Sequence, residues 1–403
     1  MRIDTASLRT MRERRAGRIL VTGATGFLGS HLAVALLRAG YRVAVLARPS
    51  KGLSAGDRIG RLTRWFGLDG RTAAPLEIVE GDLLDPAWIE AALARPDGSG
   101  RFDEIVHCAS STAFAERKRP EVEAANIDGL RRILDLAVRG GCVFFHHVST
   151  AYAAGRREGL CPEDWVEAGP FTNVYEETKA RGEIVARDVC RSEGLRLNVY
   201  RPTIVTGDSE TGRTLRFNAL YYPIKAALSI RDIYREDLQT GKGQKAAEVG
   251  IRLTRQGRLF IPIRIETRPG TGINLVPVDH CVRAILAVFE DGLEGGIYHI
   301  ANPRQTRIED IVSFGTRHFG IEGITTCGPE AFTVEPKNTL ELLYDSYLEI
   351  FKPYIQDGRT FDTARSGPIL EKRGLVCPDF DYGLFARCMD FAVSVGWGAR
   401  LFA

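Results

Sequence analysis

The chain has 403 residues, 44% of them apolar and 26% charged, an ordinary globular composition with room for two or three domains. Its 54 basic and 51 acidic side chains leave a net charge of +3, which gives no reason to expect a nucleic-acid partner. No apolar run approaches the ~20 residues of a membrane-spanning helix. The eight cysteines are scattered, with neither a CxxC pair nor zinc-ligand spacing, so reduced thiols in a cytoplasmic protein are expected.

Residues 1–17 read as a basic arm. Arg14-Arg15 precedes only Ile19-Leu20-Val21 before a glycine, too little for the apolar region of an export signal. Compact apolar runs at Arg18–Thr22, Arg42–Ala47, Leu76–Glu80, Glu104–Ala109, Cys142–Ser149 and Arg196–Arg201 then alternate with helical periodicity. The helical stretches are Leu28–Ala39, Glu121–Arg139 and Val174–Ser192. The runs lack strict alternation, as strands buried on both faces do. The pattern predicts an α/β chain with a doubly wound parallel (Rossmann) sheet. Residues 208–272 are irregular. Asn274–Val278, Asp279–Phe289 and Gly296–Ile300 restore a strand, helix, strand unit. From Ile308 the pattern is mostly helical, with loops at Gly358, Gly367 and Pro378. The expected organisation is an arm (1–17), a dinucleotide-binding domain (18–207, completed by 273–302), a substrate-facing insertion (208–272) and a mostly helical C-terminal substrate lobe (303–403).

Gly23-Ala24-Thr25-Gly26-Phe27-Leu28-Gly29 follows the first strand and opens the first helix. Glycines there allow a tight turn and close backbone approach to a pyrophosphate at a helix N-terminus. The second strand ends in Leu46-Ala47-Arg48-Pro49-Ser50-Lys51, where an NAD site would place an acid. A guanidinium suits the 2′-phosphate of NADP(H), so NADPH is the expected cofactor. Asp82-Leu83, past the third strand, are placed to meet the adenine, and Asp82 is also a candidate cap for a helix beginning near Pro86.

Tyr175 and Lys179 stand four apart on one helix face. Carbonyl reduction needs a proton donor, and a neighbouring ammonium brings a phenol toward neutral pH. Ser149-Thr150, at the end of the fifth strand, offers a hydroxyl for the substrate oxygen. Cys108 reads as packing rather than a nucleophile, His146-His147 as core or site-wall residues rather than metal ligands, and Asn126 as a proton-relay or structural hydrogen-bonding group. Residues 213–258 hold ten Lys/Arg against four Asp/Glu, with Phe217, Tyr221, Tyr222 and Tyr234 among them. They read either as a lid for thioester phosphates or lipid, or as a helical hairpin with a solvated basic face.

The order of glycine loop, Ser-Thr strand end and YxxxK resembles the extended short-chain dehydrogenase/reductases from Arg18 to about Pro303. Tyr200-Arg201-Pro202-Thr203-Ile204-Val205-Thr206-Gly207 and Val276-Pro277-Val278-Asp279 carry the likeness further. Within that family the chain is most similar to fatty acyl-CoA reductases and thioester reductase domains. Thr22–Leu32, Leu46–Pro49, Glu80–Leu83, Ile105–Ala109 and His147–Tyr152 carry this, with a faint echo in Phe361–Arg365 and Phe380–Tyr382. The resemblance implies a catalytic set of Thr150, Tyr175 and Lys179, with Ser149 as second choice for the hydroxyl. It implies a cofactor-facing set of Gly23, Thr25, Gly26, Phe27, Leu28, Arg48, Asp82, Leu83, Ala109, Ser110, Tyr175, Lys179 and Pro202. It further implies NADPH-dependent reduction of an acyl thioester, on coenzyme A or an acyl carrier protein, to aldehyde or alcohol. A homodimer through the two central helices and peripheral membrane contact belong to the same expectation. The competing readings are a dehydrogenase of a sterol-like or other hydroxy/keto substrate, a nucleotide-sugar epimerase, and a non-catalytic NADP sensor.

Overall fold

Short runs of Val, Ile and Leu with no polar face bury both sides only as inner strands between helical layers, and that is where the chain puts them. The computed structural model describes residues 14–68, 76–240 and 243–402. Its nine main strands are β1 (Arg18–Thr22), β2 (Arg42–Ala47), β3 (Glu77–Glu80), β4 (Glu104–His107), β5 (Phe144–Val148), β6 (Arg196–Pro202), β7 (Leu259–Glu266), β8 (Gly296–Ile300) and β9 (Ile321–Cys327). Seven of them form one parallel sheet in the order β8-β6-β5-β4-β1-β2-β3.

Helices cover both faces. The helix α1 (Phe27–Arg38), α2 (Ala55–Trp65) and a later helix at Val278–Asp291 bury apolar residues on one side. On the other lie α3 (Ala87–Leu93), α4 (Gly129–Gly140) and α5 (Val174–Glu193). The predicted stretch Glu121–Arg139 is not one regular helix. Arg119–Glu123 passes into a π-helical turn, Ala124–Asp128, before α4 begins. That turn carries Asn126, and such bulges commonly serve to aim one side chain.

The sequence missed a second sheet. After α6 (Tyr221–Thr240), the short helix Gln244–Glu248 and Arg252–Leu253, β7 pairs in parallel with β9 and antiparallel with Arg252–Leu253. Leu259, Ile261, Ile263 and Ile265 alternate inward along β7. Pro262 disguises this strand, since proline lacks a ladder donor, and the register slips between Phe260 and Ile263. Residues 208–272 are therefore not irregular: α6 and the Gln244–Glu248 helix pack on each other, as the helical-hairpin reading of 213–258 has it, and β7 shares a sheet with the C-terminal segment. The remaining helices are α7 (Val278–Asp291), α8 (Ile308–Phe319), α9 (Thr339–Leu348), α10 (Ser366–Lys372) and α11 (Tyr382–Ser394). Gly367, read as a loop, lies inside α10. The C-terminal segment also returns to the main sheet, because Glu163 accepts from the His299 and Arg365 backbone N–H groups at 2.7 and 2.5 Å.

Residues 1–13 of the expected arm lie outside the described residues, but Arg14 is not free. Its guanidinium holds Glu104 through two contacts of 2.6 Å and lies 4.5 Å from the Phe289 ring centroid. Burial alone would raise the Glu104 carboxyl, yet the hydrogen bonds from Arg14 and His146 bring it down to about 2.

Candidate active site

The glycine loop turns at Gly23, where φ is +72° and an added Cβ would stand 2.6 Å from the Ala109 nitrogen. At Gly29 an added Cβ would stand 2.4 Å from the Gly23 carbonyl oxygen. Neither position admits a side chain. Gly26 caps α1 without a side-chain hydrogen bond, and the first turn carries no acid. The leading N–H groups of α1 are thus left for an anion, which fits the pyrophosphate of a dinucleotide. Thr22 Oγ1 accepts from the Ala109 N–H at 3.2 Å and ties the loop to the end of β4. Phe27 sets its ring edge on His31, and Leu28 packs into the core, so these two face the loop through their backbone.

Arg48 stands at the end of β2, paired with Asp82 at 2.8 Å. Asp82 accepts from the Leu84 N–H at 3.0 Å and so shapes the loop after β3. It does not cap α3, because Pro86 holds the N-cap position and Asp85 receives the Ala87 N–H. Leu83 packs its side chain against the start of α4 at Gly129. Sequence reasoning missed Arg58. From α2 it donates to the Arg48 carbonyl at 2.6 Å and to Thr25 Oγ1 at 3.0 Å. Burial, and then the charge of Arg48, lower its pKa, as expected where two guanidinium groups crowd one space. The signal lay in the capping box Ser54…Asp57, which starts α2 just after β2 and points Arg58 back to the loop.

Asn126 is saturated within the protein. Its Oδ1 accepts from the Ser111 N–H at 2.7 Å and the Ser110 hydroxyl at 3.1 Å, and its amide donates to the Ser111 carbonyl and to Thr178 Oγ1. It pins the loop after β4, including Ser110, to α5.

Tyr175 opens α5 and lines a cavity of about 580 Å³ together with Thr150 and Tyr152. The Thr150 hydroxyl shares the cavity wall with the phenol and lowers its pKa, and it donates to the Pro202 carbonyl at 3.5 Å. The Ser149 hydroxyl is buried without a partner and is no part of the wall. Of the two hydroxyls at the strand end, Thr150 is the one beside Tyr175.

Lys179 is buried and donates to the Val148 carbonyl at 2.7 Å. Burial pushes its ammonium down to about 8. Enclosure raises Tyr175 above the usual phenol value, with Thr150 opposing, and Lys179 is not among the groups acting on it. Burial also lifts the Cys108 thiol to about 11, as suits a packing residue. His146 bonds Tyr200 at 2.8 Å and Glu104 at 2.9 Å inside the sheet. His147 stacks on His107 with both ring nitrogens unpartnered.

Most of the rest of the cavity wall is apolar, with Thr112, Thr203, Asn218 and Thr316 as uncharged polar exceptions. The apolar part comes from α6 (Ala227, Leu228), β7 (Ile265), α8 (Ile311, Phe319), β9 (Ile324), α9 (Leu348) and Phe351–Ile355. Among the described residues no Asp, Glu, Lys, Arg or His lines the cavity. Much of the cationic insertion is occupied elsewhere. Arg213 stacks on Trp65 at 4.1 Å and Arg252 on Phe260 at 3.9 Å, Arg231 pairs with Asp232, and Arg258 stands 3.7 Å from Glu322.

A family profile described as Male sterility protein, an NAD-binding one, matches residues 21–285. The chain belongs to that family. This bears out the resemblance to extended short-chain dehydrogenase/reductases of the thioester reductase group. UDP-glucose 4-epimerase of Bos taurus is 29% identical over 181 residues, 44% of this chain and 50% of that one. The L-2-aminoadipate reductase large subunit of Penicillium chrysogenum is 26% identical over 291 residues, 67% of this chain and 18% of that one. The chain thus spans about half the length of the first curated relatives it matches, and less of the reductase. The terminal R domain from the myxalamid PKS-NRPS biosynthetic pathway superposes with a TM-score of 0.71 at 23% identity, covering 94% of this chain and 91% of that one. A thiolation-reductase di-domain from an archaeal non-ribosomal peptide synthetase gives 0.69 at 14%, covering 98% and 82%. These likenesses establish the Rossmann fold. Among the described residues no helix is long and apolar enough to cross a membrane.

Proposed function

We propose that this chain reduces an acyl thioester with an apolar acyl group, using NADPH. The observation that carries the reading is the cavity of about 580 Å³, with Thr150 and Tyr175 on its wall and no charged residue lining it. A nucleotide sugar would find no cationic side chain for its diphosphate on this wall, so the epimerase-like reading is disfavoured. A hydrocarbon chain is stabilised by about 0.8 kcal/mol per buried methylene. The non-catalytic sensor reading gives no reason for Thr150, Tyr175 and Lys179 to stand together.

When bound, the reduced nicotinamide supplies the hydride. The glycine loop and the N-terminus of α1 would hold the pyrophosphate, and Arg48 with Arg58 would hold a 2′-phosphate. Thr150 orients the carbonyl oxygen by hydrogen bonding. Tyr175 gives that oxygen its proton as negative charge develops. A raised phenol pKa is no obstacle, because the phenol is fully protonated at neutral pH and an alkoxide is far more basic than a phenolate. The resulting hemithioacetal expels the thiol to give an aldehyde. Lys179, held by the Val148 carbonyl, places positive charge beneath the site.

Turnover of butyryl-, octanoyl- and palmitoyl-coenzyme A, with products extracted and identified, tests the substrate class. The expected result is aldehyde or alcohol, with KM falling about fourfold per methylene until the cavity is filled. The same chains on a phosphopantetheinylated carrier protein test the delivery form, which the likeness to a thiolation-reductase di-domain favours. Cofactor choice is tested at Arg58. Arg58→Ala should weaken NADPH about 10- to 100-fold through the loss of a charged hydrogen bond, and leave NADH unchanged. Calorimetric titration showing equal losses for both would count against the 2′-phosphate assignment.

A further inference from the structure

Glu176 follows Tyr175 in the first turn of α5. It is fully buried, and no step above employs it. Its Oε1 accepts from the Tyr354 hydroxyl at 2.8 Å, with the Arg359 guanidinium 3.5 Å away. Its Oε2 accepts from the Thr172 N–H at 3.0 Å. Asn173 caps the same helix by accepting from the Glu176 N–H at 3.0 Å, and its amide donates to the Tyr354 oxygen at 2.8 Å. Tyr354 is therefore bonded both to the cap and to the first turn of the helix that presents Tyr175.

The other side of Tyr354 faces the cavity. Its ring centroid lies 5.7 Å from that of Phe114, and Phe114 stacks on Tyr175, also at 5.7 Å. Tyr152 meets it edge-on at 5.1 Å. Arg359 is held by both Asp357 oxygens at 2.8 and 2.9 Å and by the Gly155 carbonyl at 2.8 Å, so this support does not shift with the ring. Stability alone does not ask for this arrangement. Asn173 already caps the helix, and a buried carboxylate costs several kcal/mol in desolvation before its partners offset it.

We infer that Tyr354 and Glu176 are positioning residues that couple filling of the apolar cavity to the placement of the Tyr175 hydroxyl. The inference rests on the thioester-reductase reading for its kinetic consequence only. An acyl chain packed on the Tyr354 ring steadies the hydroxyl on Glu176 and Asn173, and through them the first turn of α5. An acyl group too short to reach the ring leaves that turn less well held.

Two measurements test this. Tyr354→Phe keeps the ring and the cavity but loses the hydroxyl. With palmitoyl-coenzyme A its kcat should fall roughly 10- to 100-fold from misplacement of the proton donor, at an unchanged KM. Glu176→Gln has one acceptor oxygen for the two donors, Tyr354 and the Thr172 N–H, so it should lower kcat in the same direction at an unchanged KM, and it carries the comparison if Tyr354→Phe does not fold. Hydrogen exchange of the 172–178 amides is read with and without dodecanol, which needs no turnover. Dodecanol should slow exchange in the wild type and not in Tyr354→Phe. Equal slowing in both proteins, or none in the wild type, overturns the coupling. A wild type that ignores every acyl thioester yet shows the dodecanol effect overturns the substrate reading and leaves the coupling standing.

Discussion

Tyr175→Phe is expected to reduce turnover about 1,000-fold or more while NADPH binds as before. The phenol is the proton donor nearest the carbonyl position that Thr150 defines, and the cavity wall has no Asp, Glu, His or Lys to replace it. Water is a poor substitute in a pocket lined by isoleucines and aromatic rings. The ring itself persists in the variant, so its stacking on Phe114 is kept and the fold is unaffected. Thr150→Val should cost less, about 100-fold, since it removes one hydrogen bond to the developing oxyanion but no proton. Stopped-flow hydride transfer and fluorescence titration of NADPH on the same samples separate the two effects. A Tyr175→Phe enzyme that keeps even a tenth of the activity would remove Tyr175 from the mechanism and move attention to the other cavity phenols, Tyr152 first among Tyr222, Tyr344 and Tyr354.

The central sheet was legible because strands buried on both faces have a simple signature, and because glycine loop, Ser-Thr strand end and YxxxK stand in an order that chance rarely reproduces. The glycine loop after β1 and Arg48 after β2 were legible for the same reason, since both follow strand ends. What escaped reading depends on long-range pairing. β7 carries a proline in its middle, and only its partner β9, more than fifty residues later, makes it a strand. Arg213 and Arg252 of the basic insertion are spread on aromatic rings, a use of arginine that one-dimensional charge counting does not detect. Tyr354 and Glu176 are individually unremarkable letters, and their bond spans 178 positions. The alternation of Leu259, Ile261, Ile263 and Ile265 was the one signal present in the sequence that could have found the second sheet.

Acid should unfold this protein from a pH well above the carboxylate range. Six of the seven histidines have their pKa lowered by burial: His31, His107, His146, His147, His280 and His299. His107 is brought down to about 3, and His280 and His299 to about 4. Desolvation is the leading cause in each. Neighbouring cations add to it, Lys179 at His107 and His147, Arg283 at His280 and Arg201 at His299. The unfolded chain, with ordinary imidazoles near 6.5, binds protons that the folded chain refuses. Stability is therefore fully present above about pH 6.5 and is lost as pH falls toward 4. Each histidine well inside that window contributes about 1.4 kcal/mol per pH unit, so several together outweigh any single ion pair. Glu104 extends the loss below pH 4.5, because its folded value of about 2 also leaves the unfolded state the better proton binder. Thermal midpoints measured from neutral pH down to about pH 4.5 should fall steeply over the histidine window. His147→Leu should make the slope shallower, since that ring has neither nitrogen partnered and gains nothing from its polarity in the fold. A midpoint that stays level until the carboxylates titrate would mean that these imidazoles find protons in the folded state after all, and the buried neutral set would have to be abandoned.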